Sequence, residues 1–144
     1  MTSRIVSDQE SLSVVEDLLR ANELPFQDLR LENNLFVTYY NDSNELVGSG
    51  GLEWYGNHAL LRSVAVQKSA RGKSKGKYIA NDLLTRARLR STKEIYLLTE
   101  TAHDFFVKIG FKDISRNDVP DEIKASTEFS SVCPVSAACM VYKV

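Results

Sequence analysis

Little in this sequence forces an unusual architecture. Two cysteines among 144 residues are too few for a disulfide-stapled scaffold. They stand as Cys133 and Cys139, a C-x₅-C spacing that is poor for zinc, so no metal site is expected. Three prolines rule out a Pro-rich stalk. No apolar run approaches the ~20 residues of a membrane helix. The opening "MTSRIVSDQESLSVV" lacks the apolar stretch of a signal peptide, so a cytoplasmic protein with reduced thiols is expected. A strong charge bias is missing too. Lys and Arg number 18 against 19 Asp and Glu, a net charge of −1. A general nucleic-acid binder would be strongly basic. Neither nucleic acid nor membrane is therefore an expected partner. No repeat, linker or low-complexity segment breaks the chain, and one domain over residues 1–144 is expected.

What is present is periodicity that changes midway. Ser7 to Glu10 has the pattern of a capping box. Leu12, Val15, Leu18 and Leu19 then give a helical stripe that ends before Pro25. "FQDLRLE" is expected to add a short helical turn. "NLFVTYYND", "ELVGSGGLEWY" and "HALLRSVAV" are strands separated by the turns "NDSN" and "GN". Gly48, Gly50 and Gly51 point to a bulge or a close backbone approach. A helix over "GKYIANDLLTRARLR" turns Ile79, Leu83, Leu84 and Ala87 inward. "EIYLLT" is a buried strand, and "TAHDFFVKIG" a helix closed by Gly110. "FKDI" is expected as a strand, "DVPDEIKAS" as a short helix with Pro120 near its first turn, and "AACMVYKV" as the final strand. Strand, helix, strand in the middle implies a right-handed crossover between parallel neighbours. The expected fold is a mixed α/β sheet, antiparallel in its N-terminal half.

"VAVQKSARGKSKG" carries the densest signal. A strand runs into a loop holding Arg71, Lys73, Lys75 and Lys77, and a helix follows. The first N–H groups of a helix lack partners, and its dipole favours an anion there. Gly72 and Gly76 allow close backbone approach. A Walker A loop is excluded, because its earlier glycine would fall at Gln67. An anion-binding loop is the leading reading, and a solvated basic turn the plain alternative.

This stretch resembles motif A of the GNAT N-acetyltransferases, Q/R-x-x-G-x-G/A. "AHDFFVKIGF" is similar to the family's A-x-x-x-Y-x-x-x-G-F segment. The resemblance covers nearly the whole chain and implies a GNAT-like fold with helices on both faces of the sheet. It implies acetyl-CoA as cosubstrate, with the pyrophosphate on Arg71, Gly72, Lys73, Ser74, Lys75 and Gly76. It implies an oxyanion donor and a pantetheine-pairing edge at Val64, Ala65 and Val66. Thr99 stands near the family's asparagine that contacts pantetheine, with Tyr96 and Thr101 beside it, and Phe105 and Phe106 wall the thioester. The activity implied is acetyl transfer to a primary amine of a small molecule by direct attack. Homodimers are frequent in the family, and "AACMVYKV" could pair across such an interface. "GLEWYG", "LLRSVAV", "YLLTETAHDFF" and "CPVSAACM" resemble more narrowly a GNAT subgroup associated with arsenic resistance.

Two positions depart from the motif. Ser74 stands at its first glycine place and is tolerable at negative φ; its hydroxyl could donate to a phosphate. Phe106 replaces a tyrosine that protonates the leaving thiolate, and a phenyl ring cannot donate a proton. These departures favour an alternative, an acyl-CoA-binding regulatory domain with weak catalysis. On the acceptor side Glu53 and Arg62 flank the 56–57 turn and could face each other. Glu53 would serve as base or ammonium ligand and Arg62 would hold an anionic group of the amine; a salt bridge is the plain alternative. Trp54 and Tyr55 would wall the acceptor or pack the sheet. Cys133 and Cys139 would be buried hydrophobes, with Cys133 and Pro134 alternatively lining the acceptor pocket. His58 and His103 are expected at the surface, and Arg86, Arg88 and Arg90 on a solvated face.

Overall fold

A computed structural model describes residues 1–72, 74–132 and 134–144, with Ser131 and Val132 described for the backbone alone. Lys73 and Cys133, and the roles expected of them, lie outside the described residues. Seven strands form one mixed sheet: β1 (Thr2–Ile5), β2 (Asn34–Tyr40), β3 (Leu46–Tyr55), β4 (His58–Val66), β5 (Glu94–Thr99), β6 (Lys112–Asp113) and β7 (Ala138–Lys143). Their order is β1-β2-β3-β4-β5-β7-β6. Among the described residues four α-helices accompany them: α1 (Gln9–Ala21), α2 (Lys75–Leu89), α3 (His103–Ile109) and α4 (Asp121–Lys124). Strands β1 to β4 are antiparallel, and β4 pairs in parallel with β5. That is the crossover expected from the middle of the sequence.

Successive side chains of a strand point to opposite faces, and this divides the core in two. Phe36 packs with Val15, Leu18 and Leu19 of α1. Its neighbour Val37 packs with Ile79 and Leu83 of α2 and Phe106 of α3. Each such aliphatic side chain contributes about 1.5–3 kcal/mol by leaving water. The glycines of β3 set how closely α2 approaches. A Cβ on Gly48 would lie 2.7 Å from Ile79 Cδ1, and one on Gly50 would lie 2.3 Å from Leu83 Cδ1.

Several expectations need correction. The capping box lies one residue later, at Asp8 and Ser11, because the Asp8 carboxylate accepts from Ser11 N at 2.8 Å. Residues 26–32 form turns rather than a helical turn. Pro120 stands at the N-cap of α4, beside its first turn as expected. Strand β1 gave no sequence signal, since all four of its residues are exposed and no face alternates. A π-helical turn at Glu128–Val132 was also unforeseen. Strand β7 pairs within the chain on both sides, with β5 and with the two-residue β6.

Candidate active site

Pairing between β4 and β5 runs only from His58–Glu94 to Leu60–Tyr96. Beyond it β4 stays with β3 and β5 with β7, so the two strands fork. A bulge drives the fork. The β3–β4 register shifts between Ser49 and Gly51, placing Ser63 and Val64 opposite Gly50. Ser63 adopts φ +60°, the left-handed region. The wholly buried Ser49 hydroxyl donates to the Ser63 carbonyl at 2.9 Å, and Arg62 Nε donates to Ser63 Oγ at 3.2 Å. A bulge held this way re-aims the backbone that follows it. Between the forked strands lies a cavity of about 710 Å³, lined by residues 61–66 of β4, 97–102 at the end of β5, and the start of α2.

One end of this cavity is cationic. Arg71, Gly72, Ser74, Lys75, Gly76 and Lys77 all line it. Helix α2 has 15 residues, no side-chain cap at Ser74 and no acidic residue in its first turn. Its first N–H groups therefore meet the cavity beside Lys75 and Lys77, an arrangement suited to a phosphate. Gly72 takes φ +83°, with open space where a Cβ would stand. Ser74 takes φ +59° rather than the negative φ that a serine prefers, which accounts for glycine at this place of the motif. Arg71 donates to Asn22 Oδ1, joining the loop to the end of α1. Phe105 lines the cavity and packs near Gly76, where a Cβ would lie 3.4 Å from its ring. Phe106 also reaches the cavity, but most of its ring is buried between Phe105 and Phe111. Thr99 lines the cavity while its hydroxyl accepts from Ala102 N at 3.0 Å, ahead of α3.

Buried charge forms the floor at the other end. Arg62, its side chain 1% exposed, donates to both Asp28 oxygens at 2.5 and 2.7 Å and to Glu53 Oε2 at 2.9 Å. Glu128 Oε1 stands 4.0 Å from Arg62 Nε. Burial alone would favour the neutral guanidine, but the Asp28 bonds and the charges of Glu128, Asp28 and Glu53 raise the pKa of Arg62. Tyr55 donates to Glu53 Oε1 at 2.7 Å, and burial together with that bond keeps its phenol protonated. Glu53 and Arg62 thus do meet, diagonally across the hairpin. The bidentate fork expected to grip an acceptor's anionic group is instead taken by Asp28. Sequence reasoning missed Asp28, Glu128 and the serine clamp. Asp28 and Glu128 sit in irregular segments without periodic signal, and the bulge exists only as a relation between two strands.

Other candidates move away from the cavity. Tyr96 is buried on the α4 side with Leu60 and Cys139. Cys139 is a buried thiol pushed up to about 11 by its burial, as an inert hydrophobe would be. Trp54 packs against the sheet and carries the Arg90 guanidinium over its ring at 4.3 Å, so Arg90 is not merely solvated. Arg86 likewise bonds Asp82 at 2.8 Å. His58 is half-buried against Tyr96 rather than at the surface. His103 is exposed, and its bonds to Asp113 and Asp104 raise its pKa.

A forked mixed sheet with a cationic helix start in the fork makes a cleft suited to an extended ligand that carries phosphate. The chain belongs to the acetyltransferase (GNAT) family, whose model matches residues 4–111. It is 28% identical over 113 residues to the [citrate [pro-3S]-lyase] ligase of Haemophilus influenzae, a match covering 78% of this chain and 32% of that protein. The chain thus spans about a third of that relative's length. Its fold is similar to Mycobacterium tuberculosis Rv2747 in complex with CoA and NLQ, with a TM-score of 0.79, 21% identity, and coverage of 100% of this chain and 99% of the other. It is also similar to the N-acetylglutamate synthase of Neisseria gonorrhoeae complexed with coenzyme A and N-acetyl-glutamate, with a TM-score of 0.76, 15% identity, and coverage of 99% and 35%.

Proposed function

We propose that this chain moves the acetyl group of acetyl-CoA to the primary amine of a small molecule. The observation that carries the reading is the fork at Leu60. It leaves the cleft edge of Val64–Val66 beside an uncapped, lysine-bearing helix start. A pantetheine arm can pair with that edge as a strand would, and the pyrophosphate then reaches the first N–H groups of α2. Backbone N–H groups around the bulge would serve the tetrahedral oxyanion. The coenzyme A and the small acylated product held by structural neighbours support a cosubstrate and an acceptor of these kinds. The narrower resemblance to the arsenic-resistance-associated subgroup points to a genomic setting rather than to a substrate, and a cytoplasmic location is part of this proposal. One domain over residues 1–144 suffices for this chemistry.

The acceptor is not held through Arg62, because Asp28 already takes its fork. One observation favours a second reading, binding without turnover: Phe106 offers no proton to the leaving thiolate and is locked in an aromatic cluster. Calorimetric titration of acetyl-CoA, followed by a screen of amines for thiol release, separates the two. Binding with thiol release supports the acetyltransferase. Binding with no release from any amine supports the regulatory domain, and no binding removes both.

A further inference from the structure

Resting on that reading, we propose that the Ser63 hydroxyl is a side-chain donor to the oxyanion, acting beside the backbone N–H groups of the bulge. Ser63 sits in the bulge itself. It stands with Val64 opposite Gly50, takes φ +60°, and has its carbonyl fixed by the buried Ser49 hydroxyl at 2.9 Å. Its Oγ accepts from Arg62 Nε at 3.2 Å. A guanidinium has donors and no acceptor, so the Ser63 proton cannot return to Arg62. Among the described residues no oxygen takes that proton. Ser63 is half-buried and lines the main cleft, so the proton is available to what the cleft binds. Asp28 and Glu53 hold the Arg62 guanidinium in place from its other side. A hydroxyl that accepts from a cation donates more strongly in return. Two other hydroxyls of the cleft differ: Thr99 accepts from the neutral Ala102 N–H, and Ser74 stands at the phosphate end.

The order of the chain brings the thioester to this place. The phosphate grip follows β4, at 71–77, and the pantetheine edge is Val64–Val66. An arm held at the first and laid along the second ends at the bulge, where β4 and β5 have parted. There the lone pair of the neutral amine attacks the carbonyl carbon, and the C=O π pair moves to oxygen. Ser63 Oγ–H and a bulge N–H hold that oxyanion, and no proton leaves Ser63. The pair then returns to carbon, the C–S bond breaks, and the surplus nitrogen proton passes through water to the thiolate. The products are the amide and the free thiol of coenzyme A.

The test compares the full chain with Ser63→Gly and Ser63→Cys. Glycine removes the hydroxyl and accepts φ +60° without strain, so the bulge keeps its path. Acetyl-CoA affinity is measured by calorimetry. The carbonyl stretch of bound acetyl-CoA, isotopically labelled at that carbon, is read by difference infrared spectroscopy and needs no acceptor. Thiol release is followed with ethylamine. A donor to the carbonyl oxygen lowers the stretching frequency in the wild type. Ser63→Gly should lose part of that shift and keep its affinity. Its kcat should fall roughly 100-fold, with KM for ethylamine unchanged. Ser63→Cys, whose thiol donates weakly, should fall between the two. The inference is overturned if Ser63→Gly keeps the wild-type shift, or if acetyl-CoA bound to the wild type shows no shift. It is overturned equally if Ser63→Gly raises KM and spares kcat, since the hydroxyl would then hold the acceptor, or if it loses acetyl-CoA affinity. If the wild type does not bind acetyl-CoA, the acetyltransferase reading itself falls, and this inference with it.

Discussion

The two ends of the cleft carry opposite charge and are built in opposite ways. The phosphate end is a continuous run of chain in which Arg71 and Lys77 face solvent and Lys75 is half-buried. The floor is assembled from Asp28, Glu53, Arg62 and Glu128, four residues far apart in sequence and almost wholly withdrawn from water. Exposed charges cost little to place and contribute little to folding. Buried charges are costly to place and must be matched, so the floor couples the fold to the site. Substitutions at the first end should change binding and spare stability. Substitutions at the second should damage both.

The sharpest break is Arg62→Met, which keeps the volume and removes the cation. Three carboxylates would then share a buried space without their counterion. Removing one partner from such a cluster costs about 3–5 kcal/mol. Urea unfolding at neutral pH should show a loss of that size. A loss below about 1 kcal/mol would mean that water solvates the cluster and that the two ends do not differ in kind.

Ser49→Ala probes the same end more gently. The substitution removes the hydroxyl that holds the Ser63 carbonyl in the bulge, 2.9 Å away. Leaving a buried acceptor without its donor costs about 1–3 kcal/mol. The same measurement should show a loss in that range, with less thiol release as the bulge relaxes. Unchanged stability would leave the backbone alone to hold the fork.

The difference between the ends also decides what could be read from sequence. The loop and helix start were legible because 64–77 is one contiguous stretch whose spacing carries the chemistry. The central strands and helices were legible from their apolar periodicity, down to the bounds of β5. Strand β1 was not, because an exposed edge strand buries no face and leaves no alternation. Glu53 and Arg62 were paired correctly from their symmetry about a turn. Asp28 and Glu128 reach Arg62 from a turn and a π-helical segment, whose positions no local pattern encodes. A fork's charge complement is therefore a tertiary property, even where its phosphate grip is a local one.

Arg71→Glu tests the exposed end. It reverses a charge on the loop and breaks the contact with Asn22. Acetyl-CoA affinity should fall by roughly tenfold or more, the value of one or two charge-assisted phosphate contacts. The loss should narrow at high salt. Urea stability should stay within about 0.5 kcal/mol of wild type. A stability loss as large as that of Ser49→Ala would erase the contrast, because the loop would then be structural.

Ser74→Gly refines the contrast from the other side, since it should improve both properties slightly. Ser74 holds φ +59° at the N-terminus of α2, and no side-chain bond compensates it. A non-glycine residue in that region costs about 1–2 kcal/mol, part of which glycine's looser unfolded chain takes back. A net gain of roughly 0.5 kcal/mol in urea unfolding is expected. Acetyl-CoA affinity should hold or rise, because the first N–H groups of α2 would keep their direction with less strain. If affinity instead falls while stability rises, the hydroxyl itself contacts the phosphate. The serine would then be a ligand that this chain retains at the expense of backbone comfort.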